Sequence, residues 1–375
     1  MRDIELILAI FLPGVLICTG FFKKRSRLVT FFLLVLIWII FALDTKSPDH
    51  DQYELAYWQS DYAVATFVEI GFKYWMVFCR DIGMTYLQFR MQFGLVYVTL
   101  LYWVTSRLTL NVNAVLALYL IWPCLVNASG IRHAFASLIV LLFVPFLRRQ
   151  GVRYTIAYLF GILFSMTFHT GTVFHAVYIF AKSKMTWGKW LILVTGMLFL
   201  TFAINSPLLY VFALALDVHS ISKWTVESQR MNIVGVLVNT AFVIMFFLLC
   251  LTARNISRKN TDASHDNIRL TNISSKEILD FQCKSNTELY YTIATYNLLI
   301  IIGLLLASEY LRLLNGTILI YYAAVENLSK ENHHIGSRSL EFVTVMLVIL
   351  LTVFYSYSYT SHDLLGQYLG NLLFQ

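Results

Sequence analysis

A chain of 375 residues that is 58% hydrophobic and only 13% charged, with a mean hydropathy of +0.68, is no ordinary soluble domain, which runs nearer a quarter charged. In so apolar a chain the net charge of +7 reads as orientation signals in inner loops and not as a nucleic-acid surface. The five cysteines are odd in number and scattered, mostly within apolar runs, which excludes a disulfide framework or a paired Cys/His zinc site.

Spans of about 20 apolar residues cross the hydrocarbon core, and the sequence has room for about twelve. The fold class expected is therefore all-α, a polytopic integral membrane protein forming one transmembrane domain over residues 1–375. The first run, 4–22, has no basic segment before it, and Lys23, Lys24, Arg25 and Arg27 follow it; it reads as a retained span and not as a signal peptide. With that cluster inside and 28–43 as the second span, residues 44–85 face outward. Spans follow at 86–105, 108–126 and 132–147, and Arg148, Arg149 and Arg153 mark the next inner loop. Residues 154–168 return outward. The run 171–181 is short for a span and leads to Lys182, Lys184 and Lys189, and 190–204 goes out again. A second external segment is expected over 205–230, with an interfacial helix at 208–216. Then come a span at 232–253, the main cytoplasmic loop at 254–287, and spans at 290–307, 313–328 and 340–359.

Once the chain is threaded this way, the unexplained polar residues fall mostly on the outer face. Asp49, His50, Asp51, Tyr53, Glu54, Tyr57, Trp58, Asp61 and Tyr62 mix carboxylates with aromatic rings. Carboxylates accept from sugar hydroxyls and aromatic faces stack on sugar rings; a solvated loop with interfacial aromatics gives the same composition. Asp49 and Asp51 also have the Asp-x-Asp form that suits a hard divalent cation, a very common pattern in isolation. Glu69 lies among Phe67, Val68, Ile70 and Phe72, where a carboxylate is either functional or paired, with Lys73 or Arg80 as partners in sequence.

Arg132 heads a helix that is apolar from Ala134 to Leu147, against the macrodipole. An external anion would reward it there; snorkelling to lipid headgroups is the other account. His169 closes a span and has the chemistry of a general base, whereas His175, deeper, suits a helix–helix hydrogen bond. Glu309 and Arg312 are three apart on one helical face, an internal ion pair or a second anion-binding arginine.

In order along the chain, these elements resemble the EpsG/Wzy family of bacterial polysaccharide polymerases. The family's Asp with spaced tyrosines is matched by Asp49, Tyr53 and Tyr57. Its Glu-Pro-x-Phe element is matched by Glu69–Ile70–Gly71–Phe72. Its Ile-Arg-Gln helix head is matched by Ile131–Arg132–His133, its Phe-His helix end by Phe168–His169, and its late membrane arginine by Arg312. Ile70 replaces the usual proline and His133 the usual glutamine.

The resemblance implies a GT-C-like membrane glycosyltransferase in the bacterial cytoplasmic membrane. It would polymerise polyprenyl-diphosphate-linked oligosaccharide repeat units on the outer side, into capsular, exo- or O-antigen polysaccharide. Arg132, His169 and Glu69 would be catalytic, and Arg312, Asp49, Asp51, Tyr53 and Tyr57 would bind substrate, without metal or cofactor. Its partners would be the lipid-linked oligosaccharide, membrane lipids, a flippase and a chain-length regulator, and no nucleic acid. The rivals are a lipid-linked glycan flippase or transporter, a related ligase or O-acyltransferase, and a structural assembly subunit.

Overall fold

Apolar runs become helices throughout the computed structural model, which describes residues 2–44, 47, 49–59, 68–182, 186–204, 233–265, 287–304, 310–328 and 335–358; no strand occurs among them. Helices α1 (Arg2–Phe22) and α2 (Arg27–Leu43) flank the basic turn, and two short helices follow, α3 (His50–Trp58) and α4 (Ile70–Asp81). Next come α5 (Tyr86–Leu108), α6 (Val112–Ile121), α7 (Cys124–Ser129) and α8 (Ile131–Phe143), which a 3-10 turn, Val144–Arg148, extends. After α9 (Val152–Met166) the chain runs as a 3-10 segment, Thr170–Lys182, and enters α10 (Trp187–Ile204). The remainder is α11 (Ile233–His265), α12 (Thr287–Leu304), α13 (Tyr310–Leu328) and α14 (Ile335–Ser358). Among the described residues, Ile131–Arg148, Gly235–Arg258 and Thr287–Leu304 are long and apolar enough to cross a membrane. Phe11–Phe22, Arg27–Leu43, Val112–Ile121 and Val152–Met166 are shorter apolar helices.

Three expected boundaries change. The run 108–126 is not one helix: α6 ends at Trp122–Pro123 and α7 begins anew. Proline lacks the N–H that the ladder needs, and at the break the Trp122 carbonyl accepts from the Tyr322 hydroxyl at 2.9 Å. Helix α11 does not end at 253 but continues through Arg254 to His265, into the stretch expected as the cytoplasmic loop, of which 266–286 lie outside the described residues. Arg254 and Arg258 then meet Glu288 on α12 at 3.0 and 2.7 Å. The short run 171–181 is drawn out as 3-10 helix, and 13 residues at ~2.0 Å each reach about 26 Å, nearly the full hydrocarbon thickness. The segment 205–230, with the helix at 208–216 within it, Glu309 and the tail beyond 358 lie outside the described residues.

Helix α13 is the hub. Polar groups buried among apolar helices need internal partners, and α13 supplies them along its length. Asn315 accepts from Trp122 Nε1 at 3.2 Å, and Thr317 and Tyr321 accept from Asn297 at 3.1 and 2.8 Å. Asn297 also accepts from the Tyr178 hydroxyl. A Cβ on Gly316 would clash with Ser137, so glycine there lets α13 close against α8. At the end of α13, buried Glu326 lies 3.1 Å from Lys24, which is also 2.8 Å from Glu341 on α14. Arg312 and Glu326 are thus at opposite ends of this helix, about 21 Å apart at 1.5 Å per residue.

Candidate active site

The residue that assembles the site is Gly71. Its amide donates to the Thr167 carbonyl at 2.7 Å. A Cβ there would stand 2.6 Å from Thr167 Oγ1 and 2.8 Å from its carbonyl oxygen. Only glycine lets the start of α4 press on the end of α9, and that contact carries Glu69 to His169 and Thr170. Glu69 caps α4 in extended backbone, so its side chain is turned off the helix toward these neighbours.

Four elements then converge. The Arg132 guanidinium, from the first turn of α8, forms an ion pair with Glu69 Oε2, and its Nε donates to the Tyr53 hydroxyl of α3 at 3.1 Å. The same guanidinium lies 5.2 Å from the centre of the Tyr53 ring, a cation–π contact. Glu69 Oε1 accepts from the Thr170 amide at 3.1 Å and faces His169 Nδ1 at 3.2 Å. The side chains of Arg132, Glu69 and His169 keep 15, 14 and 19% exposure. They are largely enclosed yet open to a reactant.

Burial pushes the Glu69 carboxyl up, but its contact with His169 and the Arg132 charge outweigh that and hold it down at about 2. It therefore stays anionic at neutral pH and is no proton carrier. The carboxylate favours the proton on His169 Nδ1, which leaves Nε2 as the basic nitrogen. A Cβ on Gly171 would meet that Nε2 at 2.9 Å, so glycine keeps its approach clear. His133 packs edge-on against His169 with ring centres 5.0 Å apart. Its Nε2 donates to the Arg312 carbonyl at 2.5 Å, which brings the start of α13 to the cluster. Beneath lies an aromatic floor, with Trp75, Phe93, Phe135 and Phe168 in mutual contact.

The expected partners of Glu69 are thus replaced: it pairs with Arg132, while Arg80 pairs with Asp81 at 3.6 Å. Tyr53 joins the cluster. Tyr57 does not; it is fully buried, donates to the Met84 carbonyl at 2.7 Å and packs on Phe89. Asp49 precedes α3 and Asp51 is exposed on its first turn. His175 hydrogen-bonds Tyr178 at 3.1 Å, three residues on, and its carbonyl accepts from Tyr158 of α9 at 2.8 Å. Among the described residues no three His, Cys, Asp or Glu side chains are grouped to hold a metal ion.

Sequence reasoning missed Gly71 as the positioning residue, and it missed Thr170. The signal for the first was a glycine two residues from an isolated carboxylate; the second acts through its main chain, which carries no sequence signal.

Neither the curated proteins nor the solved structures contain a match to this chain. Its apolar helices mark it as a membrane protein, and the model of one family covers nearly all of it. The match extends over residues 27–363, and the chain belongs to the EpsG family.

Proposed function

We propose that this protein is a multi-pass polymerase of the bacterial cytoplasmic membrane, with about twelve spans and a GT-C-like architecture. It joins polyprenyl-diphosphate-linked oligosaccharide units on the outer side. EpsG membership supports an exopolysaccharide polymerase type of function. The observation that carries the reading is the meeting of buried Tyr53 with the part-exposed Glu69, Arg132 and His169, from separate elements, at one end of the bundle.

The growing chain is the donor. Its anomeric C–O bond to the diphosphate breaks while a hydroxyl of the incoming unit forms the new C–O bond. His169 Nε2 takes the hydroxyl proton. Arg132, with Arg312, stabilises the leaving diphosphate. Glu69 stays charged throughout; it holds His169 and Arg132 in register and stabilises the imidazolium once formed. Tyr53, and Asp49 and Asp51 at the head of the same helix, lie on the saccharide side.

A flippase for the same lipid is the second reading. The break between α6 and α7 and the buried row His175–Tyr178–Asn297 favour it, since transporters place broken helices and polar groups in mid-membrane.

The deciding experiment uses the full protein in membranes with lipid-linked repeat units. Arg132→Ala is expected to lose both substrate binding and chain extension, and Arg132→Lys to recover only part, lacking the bidentate contact. His169→Ala is expected to bind substrate but not extend it, and His175→Ala to have a mild effect. Wild-type polymer length from Arg132→Ala rejects the reading, and flipping without extension decides for the flippase.

A further inference from the structure

The basic turn between α8 and α9 is built around one ring, and the reaction above does not use it. The Arg149 and Arg153 guanidiniums lie 5.3 and 4.6 Å from the centre of the Tyr154 ring, both in cation–π range. Arg153 Nη2 also donates to the Tyr154 hydroxyl at 2.8 Å, and Phe146 stacks on the ring at 6.2 Å between centres. Gly151, at a φ of 109°, makes the turn that brings residues before and after it to the same ring. Lys182, at the end of the 3-10 segment, donates to the Gly151 carbonyl at 3.3 Å and to Thr155 Oγ1 at 2.8 Å. Three cations thus gather on one turn.

The grouping is not neutralised. The two guanidiniums are at most about 10 Å apart and repel. The sequence holds no Asp or Glu between Asp81 and Asp217. Among the described residues the three cations meet only neutral groups. Orientation in a membrane asks only that cations lie in the loop. It does not ask that they be gathered: Lys23, Arg25 and Arg27 serve that end as exposed side chains that meet no ring among the described residues.

An apolar track starts at the same turn. Val152, Ile156 and Phe160 are 75, 60 and 61% exposed and lie four apart on one face of α9. They run about 12 Å from the cations, most of the ~15 Å of hydrocarbon in one leaflet. A cationic turn that opens onto an apolar helix face fits a molecule with an anionic head and hydrocarbon chains.

We propose that this turn is a binding site for an anionic phospholipid, with phosphate on Arg149, Arg153 and Lys182 and an acyl chain along Val152, Ile156 and Phe160. The site is separate from the Arg132 cluster: His169 lies past the other end of α9, whose 15 residues span about 22 Å. It does not depend on the reaction that cluster performs, although α8, α9 and the 3-10 segment all run between the two.

The test is native mass spectrometry of the full chain, released from detergent with tetraoleoyl cardiolipin or dioleoyl phosphatidylcholine. Wild type is expected to keep cardiolipin and shed phosphatidylcholine; equal retention of the two overturns the proposal. Arg149→Gln/Arg153→Gln/Lys182→Gln should weaken cardiolipin binding about a hundredfold. Lys23→Gln/Arg25→Gln/Arg27→Gln removes the same charge and should weaken it less than about twofold. Equal weakening by both shows attraction to the protein's overall charge, which also overturns the site. Inorganic phosphate should raise the melting temperature less than cardiolipin does; an equal rise would assign the cations to a free anion. A cardiolipin with a photoreactive acyl chain needs no variant and should label residues 152–160. Labelling spread over the other exposed helices would refute the acyl track.

Discussion

Replacing Glu69 by glutamine keeps its shape and removes one charge, at the point where Arg132, His169 and Thr170 meet. The folded carboxyl titrates near 2 against an ordinary 4.5, a gap worth roughly 3 kcal/mol in favour of the ionised form. The side chain is only 14% exposed, so solvent screens little of this. Because the folded value is depressed, the stabilisation is complete above about 4.5 and is lost as pH falls through about 2. Glu69→Gln should therefore lower stability at pH 7 by roughly 3 kcal/mol and lack that part of the acid loss. Chain extension should fall too, since neither His169 nor Arg132 is then held. The assay is a double-mutant cycle with Arg132→Ala, read by unfolding of the purified protein at pH 7 and below 4. Effects that add to within about 0.5 kcal/mol would show that the two residues are not coupled, and the site would need another organiser.

Gly71→Ala should reduce activity as strongly as Glu69→Gln, because its Cβ meets Thr167 at 2.6 Å and pushes α4 off α9; wild-type extension would show that α4 is not the delivering element. Lys24→Met should destabilise by about 1–3 kcal/mol, because buried Glu326 loses its cation partner and must take up a proton, with recovery in Lys24→Met/Glu326→Gln measured by thermal unfolding; no recovery would remove Glu326 as its main partner. An impermeant thiol reagent should label cysteine at Asp51 but not at Arg258 in intact cells, with the native cysteines removed; the reverse pattern inverts the orientation. Chelators should leave extension by the purified protein unchanged, and rescue by magnesium or manganese would make Asp49 and Asp51 ligands.

Much of the site was legible because each member breaks a local rule. Arg132 sits at the wrong end of a helix dipole, Glu69 among phenylalanines, and His169 at the end of an apolar run. Their pairing was not legible: Lys73 and Arg80 are nearer in sequence to Glu69, and only the Gly71–Thr167 approach selects Arg132 instead. Arg90 escaped notice although it is a charge inside an expected span, where charge marks function or pairing; its partners are the carbonyl of Phe41, which no sequence pattern advertises, and the Asp44 carboxylate. The helix break at Pro123 was written in the chain. The 3-10 winding of Thr170–Lys182 was not, beyond the run being too short to span as α-helix.

That winding governs what the segment tolerates. With three residues per turn, Thr172, His175 and Tyr178 stack in one column, and all three are buried. Thr172 meets Ser165, and Tyr178 meets Asn297. An α-helical winding would fan these side chains around the axis and send part of the column toward the bundle's exterior. A single inserted residue would swing everything after it by about a third of a turn. Three inserted residues would restore the facing and shift the far end by about 6 Å. Length variation here should therefore come in threes, whereas the neighbouring α-helices would accommodate three or four.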